Sequence, residues 1–133
     1  MKQLIVFSLF SIASFTACTQ TETKNVEGTE EVISQTEIKR VSKAEFNTFK
    51  DKHPEALLLD VRTPNEFKNG TIGNAVNINF FDADFQERIN QLDKTKPVLL
   101  FCQSGGRSGK ALKVLKQNGF QTVLELQGGY GQY

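Results

Sequence analysis

Apolar and polar positions follow different periods along this chain, and the changes of period mark its elements. Residues 4–15 read LIVFSLFSIASF, an uncharged stretch behind Lys2. A helix of that length is too short for the ~30 Å hydrocarbon core of a bilayer. A charged start, a short apolar run and small residues after it are the pattern of a secretory signal, so residues 1–17 are expected to be cleaved off. Residues 19–36 are rich in Thr, Glu and Gln and poor in large apolar side chains. Residues 18–36 are therefore expected to form a flexible tether, about 20–25 Å across as a random coil.

From Glu37 onward, strand and helix patterns alternate. Residues 38–41 suit a short strand. Ser42 and Glu45 form a capping box, with Phe46 and Phe49 at helical spacing behind it. Residues 56–59 are an apolar run bounded by turn signals, as in a buried strand. Thr63 and Glu66 form a second capping box, with Pro64 at the first helical position and Asn69-Gly70 as the stop. Residues 75–80 alternate Val76, Ile78 and Phe80 with Asn77 and Asn79, which predicts a strand. Residues 85–92 carry apolar side chains at helical spacing. Residues 98–101, Val-Leu-Leu-Phe, are wholly apolar and predict a central strand. Residues 108–118 predict a helix with Ala111, Leu112, Val114 and Leu115 inward and Lys110, Lys113 and Lys116 on a solvated face. Gly119 stops it. Residues 122–124 complete the set. Such alternation predicts one α/β domain over residues 37–133 with a mainly parallel sheet.

Composition narrows the chemistry. A chain of 133 residues, 38% hydrophobic and 23% charged, suits one compact domain. With 16 Lys and Arg against 15 Asp and Glu, there is no basic excess for a nucleic acid backbone. Two Cys and one His exclude a closed Cys/His zinc site and a disulfide-dense scaffold. Cleavage after residue 17 would remove one Lys and balance the charges, so electrostatics alone would not hold the mature chain to an anionic membrane.

The candidate chemistry lies in Phe101-Cys102-Gln103-Ser104-Gly105-Gly106-Arg107-Ser108, between a buried strand and an amphipathic helix. Ligand sites in open α/β sheets gather at the carboxyl ends of strands. Gly105 and Gly106 let the loop curl so that successive N–H groups converge on an anion, and the helix start adds its positive end. A Cys102 sulfur in that cradle, near Arg107, is expected to have a lowered pKa. A lone Cys ending a strand commonly fills a core, and Gly-Gly commonly marks only a loop. The combination of strand, Cys, four residues, Arg, Ser and helix is harder to explain as packing.

These segments resemble a known family. Leu58-Leu59-Asp60-Val61-Arg62, followed by Glu66, Phe67 and Gly70-Thr71-Ile72, then by residues 73–78, is similar to the first signature of single-domain rhodaneses, which are sulfurtransferases. The Cys102–Ser108 loop is similar to their active-site loop, and Leu126-Gln127-Gly128-Gly129 with Tyr133 resembles their closing signature. Thr71 stands where many members have His, and the chain stops soon after Gly129 where relatives often add a helix, so a more open or partner-covered mouth is expected.

The resemblance implies a mainly parallel five-stranded sheet with helices on both faces. It implies that Cys102 attacks thiosulfate or a similar sulfur donor, carries a persulfide and passes sulfur to cyanide or a thiol. Gln103, Ser104, Gly105, Gly106, Arg107 and Ser108 would bind the anion. No metal or organic cofactor is implied. Asp60 and Arg62 would either support the loop or form a fold-holding pair, such as Arg62 with Glu66. No catalytic part is expected for His53. Phosphatases of the same fold carry five residues between Cys and Arg, whereas this loop has four. A persulfide carrier serving a protein acceptor and a non-catalytic binding module remain as alternatives. Finally, Thr16-Ala17-Cys18 resembles the lipobox of bacterial lipoproteins, with Phe15 where Leu is commonest. It implies lipidation of Cys18 and a cell-envelope location on the periplasmic or cell-surface side. Plain secretion is the alternative.

Overall fold

The structure is a computed structural model and describes residues 36–133. The expected signal segment, Cys18 and the expected tether up to residue 35 lie outside the described residues. The elements run β1 (Glu37–Val41), α1 (Lys43–Lys52), β2 (Leu57–Asp60), α2 (Pro64–Lys68), β3 (Val76–Asn77), α3 (Phe85–Asn90), β4 (Val98–Phe101), α4 (Gly106–Gln117) and β5 (Thr122–Leu126). The strands form one sheet in the order β1-β5-β4-β2-β3, and every described pairing is parallel. The all-apolar β4 is central and buried along its length.

Two cores separate on the two faces of the sheet. On one face Leu59, Leu100 and Val123 meet Phe85 and Ile89 of α3 and Ala111 and Leu115 of α4. On the other, Leu99, Phe101, Leu124 and Leu126 meet Phe46 of α1 and Ile72. Adjacent strand residues point to opposite faces, so the apolar run of β4 feeds both cores. Each fully buried side chain of this size contributes about 1.5–3 kcal/mol. The helices therefore cover both faces, as the family resemblance implies.

Both predicted capping boxes form. Ser42 Oγ accepts from the Glu45 N–H while the Glu45 carboxylate accepts from the Ser42 N–H. Thr63 and Glu66 repeat the arrangement at α2. Several elements differ from expectation, among them α3, which ends at Asn90 and not at residue 92. The strand predicted over residues 75–80 is paired only at Val76–Asn77. Beyond it Asn79 turns the chain, accepting from the Phe81 N–H and donating to Asp82. Val76 is exposed although it opened the alternating pattern. Helix α4 starts two residues earlier than predicted, because Gly105 in the left-handed region (φ 91°) is its N-cap. Strand β5 runs two residues further than predicted, through Glu125 and Leu126. The charge of Glu125 hid that continuation.

Candidate active site

Register places the candidate residues around the carboxyl end of β4. Asp60 pairs with Phe101 and Glu125 with Leu100, so one acid flanks Cys102 from each neighbouring strand. Arg40 lies opposite Glu125 in the β1–β5 ladder. The Cys102 side chain is fully buried. Its Sγ receives the Gly105 N–H at 3.2 Å, and the Ser108 Oγ lies 3.3 Å away. Gly105 also supplies the carbonyl that accepts the Gly109 N–H in the first turn of α4. Burial pushes the thiol pKa up. Hydrogen bonds from Ser108 and from the N–H groups of Ser104 and Gly105 outweigh it and leave the pKa below the ordinary thiol value. Of the two loop glycines only Gly105 adopts positive φ. Gly106 is exposed, with open space where a side chain would go.

The closing segment braces the loop from beneath. The Tyr130 N–H donates to the Cys102 carbonyl at 2.7 Å and the Gly131 N–H to the Gln103 carbonyl at 2.9 Å. Gly129 has φ 64°, and a Cβ there would lie 2.4 Å from the Cys102 carbonyl oxygen. Only glycine lets the two backbones approach this closely.

Arg62 and Asp60 form a buried pair. Arg62 Nη2 donates to Asp60 Oδ2 at 2.7 Å and to the Gly70 carbonyl at 2.6 Å, and Nη1 donates to Gln103 Oε1 at 3.2 Å. The Tyr130 ring stacks under the guanidinium at 4.0 Å. The pair thus holds the fold and one wall of the loop together. Arg62 does not pair with Glu66, contrary to the pairing suggested from sequence. Glu66 instead takes Arg107 in a two-pronged salt bridge, at 2.7 and 2.6 Å. The planar guanidinium fork matches the carboxylate, and Asp60 lies closer to Arg62 along its own strand end. Arg107 holds the Glu66 carboxyl well below its ordinary 4.5, at about 2, against the opposing effect of burial and with help from Thr63. Thr71, in the place of the family histidine, donates to Asp60 at 3.0 Å.

Glu125, Arg40 and Tyr130 of the site were not singled out from sequence. Glu125 is fully buried. Its Oε1 accepts from Ser108 Oγ at 2.6 Å, and its carboxylate pairs with Arg40. The available signal was an acid two residues after Val123, on the strand face that should point inward. His53 lies elsewhere, stacked on Phe49 and bonded to Glu55. A groove of about 460 Å³ bordered by Glu37, Lys39, Thr48, Lys52 and His53 shares no residue with the Cys102 loop and contains no thiol. Among the described residues, no three His, Cys, Asp or Glu side chains gather where they could hold a metal.

Comparison with known proteins adds to this geometry. An uncharacterized protein of Bacillus subtilis, YqhL, is 36% identical over 102 residues, 77% of each chain. A tRNA uridine(34) hydroxylase of Pelagibacter ubique is 40% identical over 59% of this chain but only 27% of its own length. A sulfurtransferase of Allochromatium vinosum is 36% identical over 56% of this chain and 68% of its own. The crystal structure of a rhodanese-related protein from Thermoplasma volcanium superposes with a TM-score of 0.62, at 26% identity over 71% of this chain and 88% of that one. The model of the rhodanese-like domain matches residues 42–133, from the cap of α1 through the brace beneath Cys102, and the chain belongs to that family.

Proposed function

We propose that this protein is a sulfurtransferase that moves sulfane sulfur from thiosulfate, or a similar anionic donor, to a thiophilic acceptor through a persulfide on Cys102. The observation that carries the reading is the Cys102 sulfur at the end of β4, held by loop N–H groups at the start of α4 with its pKa lowered. The thiolate attacks the outer sulfur of thiosulfate. A sulfur–sulfur bond forms at Sγ, the bond to the sulfonate sulfur breaks, and its electron pair leaves with sulfite. Cyanide or a thiolate then takes the outer sulfur and returns Cys102 to the thiolate. Converging N–H groups between Gln103 and Ser108 stabilise the anion, and Arg107 draws it to the loop. Asp60 and Arg62 act as loop supports. The sulfurtransferase relative and the short four-residue loop favour sulfur over phosphate chemistry.

Cys102 is the one free cysteine among the described residues, which favours a second form of the same reading. With no second thiol among the described residues to resolve it, the persulfide calls for an external acceptor, and a protein thiol is a candidate. Thiosulfate and cyanide should give sulfite and thiocyanate, and Cys102→Ser should abolish both. Persulfide released only to a protein thiol would favour the carrier. Aryl phosphate hydrolysis without sulfur transfer would overturn both.

We propose further that Cys18 is the lipidated first residue of a mature envelope lipoprotein. The short apolar run and Thr16-Ala17-Cys18 support this. Acyl chains on one residue would anchor the domain stably where charge does not. Labelled fatty acid should be incorporated and lost in Cys18→Ser. Secretion of an unlabelled wild-type protein would contradict it.

A further inference from the structure

The Ser108 hydroxyl has one proton, and two acceptors compete for it. Cys102 Sγ lies 3.3 Å away and Glu125 Oε1 2.6 Å away. A carboxylate oxygen at the shorter distance forms the stronger, charge-assisted bond. We propose that Glu125 is a positioning residue for Cys102: its buried carboxylate takes the Ser108 proton and turns the serine lone pairs, not its O–H, toward the sulfur.

Three further observations fix Glu125 in that role. The carboxylate is fully buried, so water cannot substitute for Ser108. Arg40 is half exposed and grips the carboxylate through Nε, while its Nη2 donates to the Gly105 carbonyl at 3.2 Å. Gly109 keeps that seat open, since a Cβ there would lie 2.7 Å from Arg40 Nη2. The carboxylate is thus held between the Arg40 guanidinium and the Ser108 hydroxyl. Cys102 is faced by Arg40 from β1, Glu125 from β5 and Arg107 from α4. Asp60 stands at the end of β2. Arg107 is paired with Glu66 and Asp60 with Arg62. Within this set Glu125 is the acid that bonds the Ser108 hydroxyl beside the sulfur.

The arrangement restrains thiolate formation. The loop N–H groups stabilise the anion, while the hydroxyl that could add to them is committed elsewhere. A thiolate of higher pKa is the stronger nucleophile, and the fastest attacking thiol has a pKa near ambient pH. Glu125 therefore trades thiolate population for reactivity. The consequence for turnover rests on Cys102 being the sulfur-accepting nucleophile. The proton-sharing itself does not.

Titration of the full-length protein tests it, using thiolate ultraviolet absorbance for the midpoint and iodoacetamide alkylation for the plateau rate. Glu125→Gln should lower the midpoint by about one pH unit, a tenfold change in proton affinity. Its plateau alkylation rate should fall about threefold. Ser108→Ala should leave the wild-type midpoint unchanged or lower, yet raise it in the Glu125→Gln background, where the hydroxyl is free to donate. A Ser108→Ala midpoint above wild type would overturn the proposal, as would a Glu125→Gln midpoint at or above wild type. If Glu125→Gln fails to fold, Ser108→Ala alone decides. Loss of thiosulfate loading with these shifts intact would count against the sulfurtransferase reading and not against this one.

Discussion

At the scale of single residues, the site is a set of charges paired so that one sulfur remains unpaired by any cation. Asp60 has Arg62, Glu66 has Arg107 and Glu125 has Arg40. Glu66 offers a direct test. Its folded-state pKa is about 2 against an ordinary 4.5, so the folded chain binds fewer protons than the unfolded chain in that interval. The stability it contributes is complete above about pH 4.5 and is lost as pH falls toward 2. Both partners keep some solvent contact, so the contribution should be about 1 kcal/mol. Glu66→Gln should flatten the acid limb of stability between these pH values in urea titrations, and should slow sulfur transfer because Arg107 loses its anchor. An unchanged acid limb would show that the pair contributes nothing to the fold. The lowered Cys102 pKa has the same sign: thiolate reactivity should rise with pH and level off below the ordinary thiol value of 9.0.

At the scale of elements, caps and close approaches separate stability from chemistry. Ser42→Ala removes the cap of α1 and should cost about 1 kcal/mol in denaturant unfolding. It should leave kcat unchanged, since α1 packs on the sheet face opposite α4. Gly129→Ala should cost more, about 1–3 kcal/mol from the left-handed backbone alone, and should reduce kcat because the added Cβ displaces the Cys102 carbonyl. Equal kcat in the two variants would deny that the closing turn braces the loop. This contrast also explains what the sequence made legible. Capping boxes, the apolar β4 and the Cys102 loop are local patterns, and local chemistry specifies them. The end of β3 is decided by the side-chain bonds of Asn79, which alternation does not register. Glu125 was missed because its partners Arg40 and Ser108 lie 85 and 17 residues away in sequence. The Arg107–Glu66 pair likewise joins positions 41 apart, so spacing could not choose between Arg62 and Arg107 for Glu66.

At the scale of the molecule, a parallel sheet with α1 on one face and α3 and α4 on the other delivers the ends of β2, β4 and β5 to one edge. In the proposed function the core holds that edge still while one atom is loaded and emptied. The most direct measurement is intact and peptide mass spectrometry of the purified protein after thiosulfate. The account predicts one added sulfur, on the peptide containing Cys102, removed by cyanide with release of thiocyanate. A protein that gains no sulfur, or gains it at another residue, would contradict it.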